Sequence, residues 1–266
     1  MGGGILESIR YLLITTKYNL FSFTYYRAQF VLWLVSSLFI SLYPFIAVTV
    51  IYSVSTGIQG WNYYQLLFLS STASAAIGII TMFISISEIN YMLIHGRYDA
   101  KLLRPYNKLA IISGGTGFVP NISNIMASGL LIIYSLANLN VTAIYILEYV
   151  VLSAFGIAAL ALFLLMLTSF SYRYFRGYSF IGNFTGFIRS VSNYPLTVYG
   201  TTGVILFTVL LPIGTAYFYP AEAVLGNVSS FGFALYIIGT VLVGSVSYKL
   251  FNMLIKGYTG SGSAMR

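Results

Sequence analysis

From Arg27 to Glu88 the chain carries no Asp, Glu, Lys or Arg between the two, and the stretches Leu109 to Leu147 and Ser190 to Ala221 are equally bare. A helix that crosses a bilayer needs roughly 20 predominantly apolar residues, and each stretch holds at least one such run. A soluble domain must clothe its core in polar side chains. With 58% hydrophobic and 7% charged residues in 266, there is not enough polar surface to do so. The bilayer is therefore the expected solvent for most of the chain.

Apolar runs read against polar breaks predict six spans, near 30–55, 62–87, 110–137, 143–170, 196–218 and 231–254. The thirteen basic residues then all fall on one side: Arg10, Lys17 and Arg27; Arg97, Lys101, Arg104 and Lys108; Arg173, Arg176 and Arg189; Lys249, Lys256 and Arg266. The remaining connections, 56–61, 138–142 and 219–230, have no Lys or Arg. That asymmetry is the one the positive-inside rule describes, so both termini are expected in the cytoplasm. Losing one span would turn basic loops outward, so charge supports the even count. The net charge of +8 is scattered among apolar runs and forms no basic face, which argues against nucleic acid.

Before the first span, Ile5, Leu6, Ile9, Leu12, Leu13, Leu20 and Phe21 recur near helical spacing among Glu7, Arg10 and Lys17. This pattern predicts an amphipathic helix lying in the headgroup region. The organisation read from the chain is an interfacial segment 1–28, a transmembrane domain 29–256 and a cytoplasmic tail 257–266. Glu7 comes early and no small-residue cleavage site follows, so a removable secretory signal is not expected. Aromatic clusters such as Trp61-Asn62-Tyr63-Tyr64 and Tyr172 to Tyr178 read as interface belts. Small residues from Ser70 to Gly78 read as a helix-association surface. No internal repeat is visible.

Catalysis needs a constellation of nucleophile, base or metal ligand, and the inventory is one His, one Asp, four Glu and no Cys. His95 has no second His to share a metal, and no enzyme is expected. An ion-coupled transporter places an ionisable residue at membrane depth. Only Glu148, one to two turns inside the fourth predicted span, fits that role, and capping or interfacial solvation explains it equally well. No G-x-x-x-x-G-K-[ST] occurs, because none of the five lysines follows a glycine. An ATPase, if there is one, is expected on a separate subunit.

Two regions depart from plain spans. In the cytoplasmic loop 88–109, Ile94, Leu102 and Leu103 offer apolar knobs. Gly96 is a break, Arg97, Asp99, Lys101 and Arg104 carry charge, and Pro105 disfavours helix just before it. A short docking helix and a charged turn both fit. From Tyr194-Pro195 to Gly226, Pro212, Gly214 and Pro220 interrupt an apolar stretch and Glu222 appears beside small residues. Non-helical backbone at membrane depth survives only when buried in protein or lining a wet cavity. A re-entrant gate and a proline kink both fit.

The segments Gly96-Arg-Tyr-Asp-Ala-Lys-Leu-Leu-Arg-Pro and Tyr194-Pro-Leu, followed by Leu211-Pro and Tyr217-Phe-Tyr-Pro-Ala-Glu-Ala-Val-Leu-Gly, resemble the type-two ABC transporter permeases. The resemblance covers nearly the whole chain. It implies an all-α polytopic protein with six transmembrane helices, an N-terminal interfacial helix, a cytoplasmic coupling helix and an outer re-entrant segment. It further implies a plasma-membrane permease subunit of an ATP-driven exporter, working with a second identical or related permease and with separate ABC ATPase subunits that hold ATP and magnesium. No cofactor is expected on the permease itself.

By this resemblance the coupling loop comprises Glu88, Gly96, Arg97, Asp99, Leu102, Leu103, Arg104 and Pro105. The outer gate comprises Pro212, Tyr219, Pro220, Ala221 and Glu222. The N-terminal segment departs from the family in carrying fewer basic residues. The competing readings are an ion-coupled secondary transporter or channel using Glu148, and a membrane scaffold.

Overall fold

The computed structural model describes residues 27–54, 57–84, 118–175 and 178–256, together with isolated positions at 7, 10, 11, 14, 15, 17, 18, 21, 89, 91–93, 95 and 111. Every named element among the described residues is helical, and one isolated bridge joins Ile58 to Trp61. In chain order they are α1 (Arg27–Val54), α2 (Tyr63–Phe83), α3 (Phe118–Ala137), α4 (Ala143–Phe170), α5 (Tyr178–Val191), α6 (Gly200–Ile205), α7 (Gly214–Val224) and α8 (Ser230–Lys256). A π-helical turn, Ser171–Phe175, extends α4. A 3-10 turn, Leu196–Tyr199, and a π-turn, Leu206–Leu210, flank α6.

Among the described residues three helices are long and apolar enough to cross a membrane: Tyr63–Phe83, Ala143–Tyr174 and Ser230–Ile255. A fourth arises if Leu196–Leu210 and Gly214–Val224, bent by 116°, count as one broken span. Six spans were expected. At the first and third, the described apolar helices are the shorter Leu42–Val54 and Asn121–Ala137.

α2 starts at a capping box. Asn62 Oδ1 accepts from Gln65 N at 2.9 Å and Gln65 Oε1 accepts from Asn62 N at 2.9 Å, which satisfies two backbone donors that a helix start leaves open. A tight turn precedes it, with Gln59 and Gly60 at positive φ. α2 is the central helix. Leu66 to Leu69 are wholly buried, and it packs against α1, α3 and α7. Ala73 and Ala76 of α2 meet Leu160 of α4, Ile188 of α5 and Tyr217 of α7 around a small apolar space.

The small-residue stripe does associate helices. Ser74 Oγ donates to Asn124 Oδ1 at 3.1 Å and Asn124 Nδ2 donates to Ser74 O at 3.3 Å, pinning α2 to α3. A Cβ on Gly78 would stand 2.8 Å from Asn124 Nδ2, so glycine permits that approach.

α4 packs against α7 and α8, and α7 lies between α2 and α4 with most of its residues buried. Where α4 meets α7, Gly156 lies so close to the Thr215 carbonyl that a Cβ would collide with it. The Tyr236 hydroxyl of α8 can donate to Leu152 O at 3.0 Å or to Thr215 O, joining three helices at one point.

Two expectations change here. The stretch after the fourth span was read as a cytoplasmic connection up to residue 195, yet Tyr178–Val191 is helical. Its buried Ile181, Ile188 and Val191, at i, i+7 and i+10, form one stripe that packs inward. The fifth span was placed at 196–218, but the chain turns back between Leu210 and Gly214. Pro212 has no N–H to continue the helix, Leu211 N donates back to Leu206 O at 2.8 Å, and Thr215 Oγ1 donates to Pro212 O at 2.6 Å.

Candidate functional site

The bend brings the predicted gate residues together on one short helix and its lead-in. Pro212, Pro220 and Ala221 are buried, whereas Tyr219 and Glu222 are half-buried. Pro220 stands inside α7 and cannot donate to the preceding turn, a loss tolerated where neighbours hold the helix. Tyr217, 1% exposed, places its hydroxyl 3.5 Å from Val191 O and 3.4 Å from Tyr194 O. It can therefore donate to a carbonyl at the end of α5 or in the turn that follows it. Trp61, from the turn before α2, lies 6.3 Å from the Phe218 ring and covers α7 from that side.

A cavity of about 740 Å³ opens between α4, the π-turn Leu206–Leu210, α7 and α8. Leu152, Phe218, Leu235, Ile238, Leu242 and Val243 make most of it apolar. Its polar end holds Glu222, whose Oε2 accepts from Asn227 Nδ2 at 2.6 Å, while Asn227 N donates to Glu222 O at 3.0 Å. Thr208 Oγ1 donates to the Tyr219 hydroxyl at 3.4 Å, and the rings of Tyr219 and Tyr236 stand 5.6 Å apart. The carboxylate is thus a neighbour of an apolar groove, held by the turn that follows α7.

A second cavity, about 490 Å³, lies between α1, α2 and the end of α5. Phe39, Tyr43 and Pro44 line one side, Ser70, Ala73, Ser74 and Ile77 another, and Arg189, Ser190, Ser192 and Asn193 the third. Asn193 Nδ2 donates to the Tyr43 hydroxyl at 3.4 Å, joining the middle of α1 to the chain after α5. Arg189 was expected in a cytoplasmic loop. It instead faces a space lined by the middle turns of α2. The usable signal was the spacing of Ile181 and Ile188, which puts Arg189 on a helix.

The coupling-loop residues Glu88, Gly96, Arg97, Asp99, Leu102, Leu103, Arg104 and Pro105 lie outside the described residues. Beside them, Ile89 and Leu93 are buried, and the His95 ring stacks on Tyr91 with centroids 4.1 Å apart. Among the described residues no three His, Cys, Asp or Glu side chains gather as metal ligands. Glu148 is half-buried on the second turn of α4.

No match was found among the curated proteins or among the solved structures. A family model described as ABC-2 family transporter protein matches residues 18–262. That match runs from the N-terminal segment through every helix named above, and the chain accordingly belongs to the ABC-2 family of membrane-embedded transporter permeases.

Proposed function

We propose that this chain is the permease subunit of an ATP-driven ABC exporter in the plasma membrane, with six crossings and both termini in the cytoplasm. It forms the path with a second identical or related permease, and separate ABC ATPase subunits that bind ATP and magnesium drive it. The observation that carries the reading is the family match over residues 18–262 of a sequence with no P-loop of its own. The positive-inside reading of the sequence supports the cytoplasmic termini, with Arg189, which lines a cavity, set aside from that count.

In this reading the loop around Asp99, Leu102, Leu103, Arg104 and Pro105 docks on the ATPase. A motor moves a membrane helix only through something packed against it. The bend before α7, with the buried α7 itself, is the outer gate, because irregular backbone at depth needs protein around it and can re-pack between discrete arrangements.

Affinity purification from the native membrane in mild detergent, followed by mass spectrometry, tests the whole scheme. A stoichiometric partner carrying a P-loop is the expected result. Its absence even after crosslinking would overturn the reading. The double substitution Leu102→Asp and Leu103→Asp is expected to abolish ATPase retention while the chain still inserts and elutes as a single species. Unchanged retention would remove the coupling role from this loop.

A further inference from the structure

The cavity between α1, α2 and α5 is set at depth. It is lined by Ser70 to Ile77 of α2. Ser70 lies about 10 Å along the helix from Tyr63 and Ile77 about 9 Å from Phe83, at 1.5 Å per residue. α2 is one of the helices long and apolar enough to cross the membrane, so the cavity occupies its middle. A cation held at such depth is costly, and ionisable residues there face cavities, pair with counter-charges and mark pathways.

Arg189 has no counter-charge among the described residues. Its guanidinium makes no hydrogen bond or ion pair with any of them, and none of the three described carboxylates lines the cavity, the exposed Glu7 included. Glu222 belongs to the other cavity and is held by Asn227, and Glu148 sits on the second turn of α4, an element that does not line this space. The neighbouring hydroxyls do not fill the gap either. Ser70 donates to Leu66 O at 3.0 Å, Ser74 to Asn124 Oδ1 at 3.1 Å, Ser190 to Gly186 O at 3.2 Å and Ser192 to Ile188 O at 2.7 Å. Each serine proton is spent on the protein. Three donors stay available: the guanidinium, the second amide N–H of Asn193, and the proton of the Tyr43 hydroxyl, which accepts from Asn193.

One cation and two neutral donors, beside serines whose protons are already engaged, make an oxyanion site. We propose that this cavity binds the anionic head, phosphate or carboxylate, of an amphiphilic molecule, with Arg189 as counter-charge, Asn193 and Tyr43 as further donors, and Phe39, Ala73 and Ile77 against its apolar part. At about 490 Å³ the space suits a head group and the start of a chain. That the bound anion is cargo rests on the permease reading; that Arg189 binds it does not.

The test is calorimetric titration of the full chain, in phosphatidylcholine nanodiscs, with dodecyl phosphate. Zwitterionic dodecylphosphocholine and inorganic phosphate serve as parallel arms. Dodecyl phosphate is expected to bind and dodecylphosphocholine to bind far more weakly. Arg189→Gln should weaken dodecyl phosphate by about tenfold or more, with Arg189→Lys recovering part of the loss. Asn193→Ala and Tyr43→Phe should each cost about threefold, and they carry the test if Arg189→Gln fails to fold.

Equal affinity in all four variants, or equal affinity for the zwitterion, would overturn the site. Displacement by millimolar inorganic phosphate would assign the site to a free oxyanion and overturn the amphiphile; no displacement supports it. Finally, with the ATPase partner present, dodecyl phosphate should stimulate hydrolysis in the wild type and not in Arg189→Gln. Binding without stimulation would make the ligand a resident lipid and overturn the cargo assignment. Failure to find an ATPase at all would sink the permease reading and leave the binding result standing.

Discussion

The two cavities use opposite means to exist inside the same apolar bundle. The space between α4, the π-turn Leu206–Leu210, α7 and α8 is framed by backbone: Gly156 lets α4 touch α7, Pro212 turns the chain, and Tyr236 ties three helices through carbonyl oxygens. The one carboxylate lining it among the described residues, Glu222, is already engaged by Asn227. The space between α1, α2 and α5 is framed by side chains. Its serines are satisfied on the protein, and its cation has no partner among the described residues. A buried polar group that is satisfied holds structure, whereas an unneutralised charge at depth is retained for something that comes and goes. In the proposed reading the first cavity serves as a hinge and the second as a binding region.

If that contrast is right, the largest effect comes from the backbone contact. Gly156→Leu forces a side chain into the Thr215 carbonyl, and neither helix backbone can yield cheaply. A loss of about 3 kcal/mol or more is expected, read as a collapse of the thermal midpoint and of the monodisperse peak in detergent. A variant with unaltered stability would mean that α4 and α7 do not meet there, and the framed cavity would lose its basis.

Tyr236→Phe is a gentler probe of the same joint. It keeps the ring on Tyr219 and removes only the hydroxyl that Leu152 O or Thr215 O receives. Both carbonyls retain their helical partners, so a cost of about 1 kcal/mol is expected in denaturation, with no change in the Arg189 cavity's affinity for dodecyl phosphate. A fall in that affinity would show the two spaces to be coupled instead of separate.

How much of this was legible in the chain depends on whether the signal is local. α4 was predicted at 143–170 and runs Ala143–Phe170, because an unbroken apolar run declares its own length. The bend was legible as Pro212 and Gly214, since proline removes a donor wherever the chain goes. A re-entrant segment and a proline kink were both open readings of it; the angle, 116°, depends on what α7 packs against and was not legible. Arg189 shows the other limit. Between an aromatic cluster and Tyr194-Pro195 it reads as one more inner-loop cation, and the charge count accepts it there. Only the burial of Ile181 and Ile188 lifts it to the level of Ser70 and Ser74. The pairing of Ser74 with Asn124, fifty residues apart, has no local signature at all.

The smallest expected effect on stability is also the sharpest test of the gate. Glu222→Gln keeps an oxygen that can accept from Asn227 Nδ2, and the side chain is half-buried, so the fold should lose no more than about 0.5 kcal/mol. ATPase retention should be unchanged, because α7 and the loop 88–109 lie at different places in the chain. Transport by reconstituted vesicles should nevertheless change, since the substitution removes the one negative charge that lines this cavity among the described residues. An altered rate with intact stability and intact ATPase binding would assign the carboxylate to gating. An identical rate would make Glu222 a turn residue whose work is done once Asn227 is held, and the hinge reading would then rest on Gly156 and Pro212 alone.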